Sequence, residues 1–225
     1  MTKSLSNALK SVLVLVSIAV VCVGVLAVCN MFFPTYKPTL DLETAKLIDK
    51  ICPTGVGYKR AYKEKYIVML DDSEYGGDLA GFNKANKTNK AEVLAVYGEP
   101  KGEVDGDGKS NVGAFIVECK SEGNDSDVVI LVAFKDGAVV GATCKKQNES
   151  YWNKLPKNLF DEISKEYPSG SFKSVFGSTG ATNSLRAIER SCNLAVKFAG
   201  KYREKISDAL QKIALGAGSD TGVSA

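Results

Sequence analysis

The sequence predicts an α+β fold: one N-terminal transmembrane helix, then an extracytoplasmic domain with a mainly antiparallel sheet and a long C-terminal helix. Three stretches carry that expectation. Ser11 to Tyr36 are 26 residues without a formal charge, dominated by Val, Leu, Ile and Ala. Val128 to Phe134 and Ala138 to Thr143 are strand-like runs joined by Lys135-Asp136-Gly137, the chemistry of a tight antiparallel hairpin. Downstream of Thr182, the residues Leu185, Ile188, Cys192, Ala195, Tyr202, Ile206 and Ile213 recur at spacings of three and four or their sums, as on one amphipathic helix running to about Gly216.

As a helix the N-terminal run would measure about 39 Å, more than the roughly 30 Å hydrocarbon core of a bilayer. A cleaved signal peptide is the rival reading, but the run is long for an h-region and no clear small-x-small cleavage site follows. Lys3, Lys10 and the amino terminus precede the run, whereas charges of both signs follow it. The positive-inside rule then places the N-terminus in the cytoplasm and the remainder outside. The expected organisation is 1–36 as cytoplasmic N-terminus and anchor, 37–110 as a membrane-proximal connecting region, 111–216 as the main domain and 217–225 as a flexible tail.

Leu42, Ala45, Ile48 and Cys52 predict a short helix leading away from the membrane, and Lys65 to Leu70 a strand. Asp71 to Lys90 is polar and glycine-bearing and reads as a surface excursion. Ala91 to Tyr97 reads as a short helix closed by Gly98 and Pro100. Asp105-Gly-Asp-Gly108 resembles half a calcium loop, but its twelfth position is Ile116 and it reads as a turn. Val112 to Cys119 is a strand, and Val128 to Phe134, apolar throughout, is a strand central in its sheet. A helix from about Pro156 to Tyr167 and a run Phe172 to Phe176 lead to the final helix.

Composition excludes several function classes. The balance of 29 Lys and Arg against 26 Asp and Glu gives +3, and no basic run interleaved with aromatics argues for nucleic acid. Histidine is absent, which removes the commonest general base, any His-containing triad, and histidine-ligated haem, zinc or non-haem iron. Redox work would fall to an organic cofactor. The six cysteines show no C-x-x-C spacing, so a locally built iron–sulfur or zinc site is not expected. Cys119 and Cys144 lie on segments that read as neighbouring strands, which makes a disulfide between them conceivable.

The stretch Ser174 to Arg190 holds the candidate site. Thr179-Gly180-Ala181-Thr182-Asn183-Ser184 is a turn that delivers a threonine hydroxyl to the first residue of the long helix. Unpaired N–H groups and the positive dipole end make that helix start a favourable place for a phosphate. Gly180 and Ala181 carry almost no side chain and permit close approach of a bulky group. The plainer reading is an N-cap in which Thr182 or Ser184 satisfies the helix start. A threonine without a nearby strong base does not modify itself, so modification would need an external enzyme.

Thr179-Gly180-Ala181-Thr182, Ser184 two places on and then Arg186-Ala187-Ile188 resemble the flavinylation motif of the FMN-binding domain family. That family includes the FMN-carrying subunits of the Rnf electron transport complex and of the sodium-translocating NADH:quinone reductase. The resemblance runs from about Val112 to Ile206 and is closest to the Rnf member. It implies an FMN-binding domain in which a flavin transferase, drawing on FAD, links FMN to Thr182 through a phosphoester bond. It also implies an electron-carrying subunit of an ion-translocating oxidoreductase working between ferredoxin and NAD, with other membrane subunits as partners. Glu149-Ser150 stands where the family has a Glu-Thr pair near the flavin, and Tyr151 and Trp152 occupy the same loop; Trp152 is equally readable as a core anchor. Lys145, Lys146 and Arg186 are candidates for pairing with flavin or phosphate oxygens. The chain departs from the family at Phe176, where an aspartate that helps the transferase engage is usual, and at Gly123-Asn124-Asp125-Ser126, where Gly-Tyr-Gly-Gly is usual. A stand-alone extracytoplasmic flavoprotein and a flavin-free structural subunit are the alternative functions.

Overall fold

The computed structural model describes residues 12–25, 38–87, 90–100, 113–166 and 181–219. The chain divides into two units, Met1–Lys37 and Pro38–Ala225. In the first, residues 12–25 form helix α1, whose apolar side chains are all exposed, from Val12 at 58% to Val25 at 56%. Among the described residues no helix is long and apolar enough to cross a membrane. The described part of the uncharged run covers about 21 Å at about 1.5 Å per residue.

The second unit is a five-stranded antiparallel meander with helices on both faces. Its elements are α2 (Leu42–Ile51), α3 (Tyr58–Lys63), β1 (Val68–Leu70), α4 (Leu79–Ala85), β2 (Ala91–Gly98), β3 (Phe115–Glu122), β4 (Asp127–Lys135), β5 (Ala138–Lys146), α5 (Leu159–Glu166) and α6 (Thr182–Ser219). A 3-10 turn at Trp152–Lys154 precedes α5. The strands pair in sequence order.

One sheet face presents Phe115, Val117, Val128, Ile130, Val132 and Phe134 to Leu185, Ile188, Ala195, Phe198 and Ile206 of α6. The opposite face presents Ile116, Leu131 and Ala133 to Ile48 of α2 and Ala61 of α3. Strand β4 is apolar from Val128 to Phe134 because both of its faces are covered there, as the sequence predicts for a central strand. The hairpin into β5 also forms as predicted. Asp136 and Gly137 both adopt positive φ, 52° and 83°, the backbone a two-residue type I′ turn demands. Helix α2 begins where Asp41 accepts a hydrogen bond from the Thr44 amide at 2.7 Å.

Several expectations are corrected. Ala91 to Tyr97 is strand β2, not a helix. Its Ala-Glu-x-Leu-Ala content favours a helix locally, but pairing with β1 and β3 overrides propensity. A register shift between Val93 and Ala95 hides the strand's alternation and turns Val93 and Val96 to the same core. The excursion at 71–90 is not confined to the surface. Tyr75 and Phe82 are 3% exposed, with ring centroids 6.3 and 5.1 Å from Phe198 in edge-on contact. The stretch 37–110 therefore supplies β1 and β2 to the same sheet, and the boundary drawn near 110 falls between paired strands. The expected strand at Lys65 to Leu70 shortens to β1, because Lys65 has φ 55°. Cys119 and Cys144 are both free, and Ile130 of β4 lies between them in register with each. Two strand spacings, about 9.6 Å, exceed the reach of a disulfide. Helix α6 continues through Ser219, past the expected start of the tail. The Asp105–Gly108 turn and the Phe172–Phe176 run lie outside the described residues.

Candidate functional site

Three segments far apart in sequence meet at the start of α6: the β3–β4 turn at 123–126, the loop after β5 at 147–150, and residues 181–184. The turn closes through the Gly123 amide, which donates to the Ser126 carbonyl at 2.9 Å. Its next three amides converge on the Glu149 carboxylate. The Asp125 and Ser126 amides donate to Oε1 at 3.0 and 2.9 Å, and the Asn124 amide donates to Oε2 at 2.9 Å. The Ser184 hydroxyl donates to the same Oε2 at 2.5 Å. In the opposite sense, the Ser150 amide donates to Asp125 at 2.8 Å and the Asn148 amide to the Ser126 hydroxyl at 3.1 Å. The two loops are thus laced by backbone amides to side chains in both directions.

Helix α6 carries two more ties to the turn. Asn183 Nδ2 donates to Asn124 Oδ1 at 2.9 Å, and Arg190 donates to the Ser121 hydroxyl at 3.1 Å and to the Glu122 carbonyl. Glycine is needed at 123, since a Cβ there would lie 2.5 Å from Glu149 Oε1 and 2.6 Å from the Ser126 carbonyl oxygen. Gly123→Ala is expected to lower unfolding free energy by about 1–3 kcal/mol, read from the urea midpoint, because a backbone oxygen cannot yield as a flexible side chain would.

Burial of Glu149 works to raise its pKa, but the Ser184 hydroxyl and the amides of Asn124, Ser126 and Asp125 outweigh it, so the carboxyl is held below its ordinary value of 4.5. Asp125 is lowered too, chiefly by the Ser150 amide. A depressed carboxyl contributes stability that is fully present above its unfolded pKa and is lost as pH falls through the lower folded one. The urea midpoint of the wild type is therefore expected to fall below about pH 4.5, and Glu149→Gln to remove part of that acid dependence.

Thr182 is the first residue of α6, so the cap position falls to Ala181, buried and without a side-chain acceptor. The N-cap reading of Ser184 is corrected, since its hydroxyl, 2% exposed as a residue, turns to Glu149. Thr182 is half-buried, and among the described residues its hydroxyl has no hydrogen-bond partner. The structure brings Glu149, Ser150, Ala181, Thr182 and Ser184 into one neighbourhood; Thr179 and Gly180 lie outside the described residues. Trp152 is half-buried and packs with Leu155 and Phe160 at the edge of the main core, while Tyr151 is exposed beneath the Lys154 ammonium at 4.4 Å. Lys145 is corrected outright: it reaches Glu118 at 2.8 Å on the sheet face opposite α6, so it cannot serve Thr182. Lys146 and Arg186 are exposed. The amide donors of 124–126 were missed in the sequence, although Gly-Asn-Asp-Ser is turn chemistry that habitually presents N–H groups.

Cavities of about 650, 520 and 280 Å³ lie at the α4–β2–β3 edge and between the β4–β5 turn and α6; none is lined by Glu149, Thr182 or Ser184. Among the described residues no group of His, Cys, Asp or Glu is arranged to hold a metal ion. Fold and site together define an α+β domain whose longest described helix begins with a threonine hydroxyl that is uncommitted among the described residues. No protein-family model matches the sequence, and no curated protein matches it.

Proposed function

We propose that the chain is a single-span membrane protein whose extracytoplasmic domain carries one FMN in phosphoester linkage to Thr182. It would pass electrons as a subunit of a membrane-bound, ion-translocating electron transport complex of the Rnf type, with other membrane subunits as partners. One observation carries this reading: the 181–184 motif meets Glu149-Ser150 and the 123–126 turn, which stands in place of the family's Gly-Tyr-Gly-Gly, and among the described residues the Thr182 hydroxyl is left uncommitted.

The residues present fit the group. Among the described residues the first intrahelical bond of α6 runs from the Leu185 amide to the Ala181 carbonyl, so the amides of Thr182, Asn183 and Ser184 have no acceptor within the helix, as a phosphate requires. When bound, FMN would supply one- and two-electron redox chemistry. In the modification, the Thr182 oxygen would attack the FMN-side phosphorus of FAD, the bond to AMP would break, and the hydroxyl proton would leave with the transferase. The exposed apolar surface of α1 and the uncharged run around it support anchoring in lipid, since so continuous an apolar surface is not left in water.

The peptide spanning residues 174–186, isolated from the chain co-expressed with its flavin transferase, is expected to carry the mass of FMN less one water. An unmodified peptide, from cells whose transferase modifies another acceptor, would overturn the reading. It would favour the flavin-free subunit, to which one observation already lends support: Glu149's hydrogen bonding is complete without any ligand.

A further inference from the structure

The geometry points to Glu149 as a positioning residue: its carboxylate clasps the first turn of α6 to the β3–β4 turn and so sets how the Thr182 hydroxyl is presented to the enzyme that modifies it. The role in modification rests on the flavin reading above. Glu149 is 7% exposed, and each of its oxygens already accepts at least two donors from the chain itself. A carboxylate so saturated has no remaining lone pair for a cofactor, which separates it from the ligand role its place in the sequence implies.

What it holds is Ser184, two residues after Thr182. At 3.6 residues per turn, two positions are about 200° apart around a helix. Pinning Ser184 inward therefore turns Thr182 toward the other side, as their burial reflects: Ser184 is 2% exposed and Thr182 half-buried. First turns of helices fray because their amides lack partners. Here the cap position is Ala181, which has no side-chain acceptor to resist fraying, so the charge-assisted bond from Ser184 takes the place of a cap.

The test uses the full-length chain in detergent micelles with purified flavin transferase, FAD and Mg²⁺, comparing wild type, Glu149→Gln, Ser184→Ala and the double variant. Two readouts are taken: the transfer rate from in-gel flavin fluorescence, resolved into kcat and KM for the chain, and amide hydrogen exchange across 183–186 before any flavin is added. Glu149→Gln is expected to accelerate exchange at 183–186 and to lower kcat, each by about 10-fold to 100-fold, the scale of one charge-assisted hydrogen bond. KM should change little, and exchange in the middle of α6 should stay as in the wild type. Ser184→Ala should reproduce the loss alone and add nothing to Glu149→Gln. Wild-type kcat in Glu149→Gln, or unchanged exchange at 183–186, overturns the proposal. If the wild type accepts no flavin from a transferase active on another substrate, the flavin reading falls and takes the role in modification with it, while exchange at 183–186 still decides whether the clasp exists.

Discussion

Lys145→Met is expected to lower the unfolding free energy of the 38–225 unit by about 3–5 kcal/mol, a large part of the 5–15 kcal/mol typical of a domain. Glu118 is fully buried in the middle of β3, and its Oε2 accepts from the Tyr97 hydroxyl at 2.6 Å and from Lys145 Nζ at 2.8 Å. Taking away the cation removes the ammonium at 2.8 Å from a carboxylate that stays fully buried, which costs stability. Replacing both partners, as Glu118→Met with Lys145→Met, removes the buried carboxylate together with its cation and is expected to recover most of the loss. Urea unfolding of the three variants decides the matter; a loss below about 1 kcal/mol for Lys145→Met would mean that the pair behaves as a solvated surface bridge. The same network reaches the Thr39 carbonyl, 3.4 Å from both Lys145 Nζ and the Tyr97 hydroxyl. It thus ties the first residues after the apolar run to β5, the strand whose end delivers Glu149 to the site.

How much of this was legible in the sequence differs from element to element for physical reasons. Strand β4, the Asp136-Gly137 turn and α6 are readable because their signals are local: an unbroken apolar run, a dipeptide suited to positive φ, and a repeat of three and four. Strand β2 is not, because one irregularity near Leu94 breaks the alternation that would distinguish it from a helix. Tyr75 and Phe82 sit in a polar stretch whose composition says surface, and the facing rings of Phe198 and Tyr202 explain their burial. At the site, the sequence singles out Thr182, Ser184 and Glu149 but not their relation. The Ser184 hydroxyl reaches Glu149 across 35 residues, and the other donors that fix Glu149 include backbone amides 23 to 25 residues away, which leave no mark in residue type. Lys145 shows the converse: it stands four residues from Glu149 in sequence, yet strand alternation sends it to the other face of the sheet.

Thr182→Ala is expected to abolish covalent flavin altogether, whereas Thr182→Ser should retain it at reduced rate. The acceptor is an oxygen on one carbon, and the other hydroxyl of the first turn cannot replace it: Ser184 is committed to Glu149 and faces inward, about 200° around the helix. Alanine is a better helix former than threonine, so the variant should fold and unfold much like the wild type. That separates loss of the acceptor from loss of the fold. The check is ultraviolet in-gel fluorescence of the denatured protein beside its urea midpoint. Phe176→Asp offers the opposite test, because it introduces the aspartate that the flavinylation motif this stretch resembles has three residues before the position of Thr179. If that position serves the transferase, Phe176→Asp should speed flavinylation without altering hydrogen exchange at 183–186. Fluorescence persisting in Thr182→Ala would move the attachment to another residue and would break the link between the uncommitted hydroxyl and the cofactor.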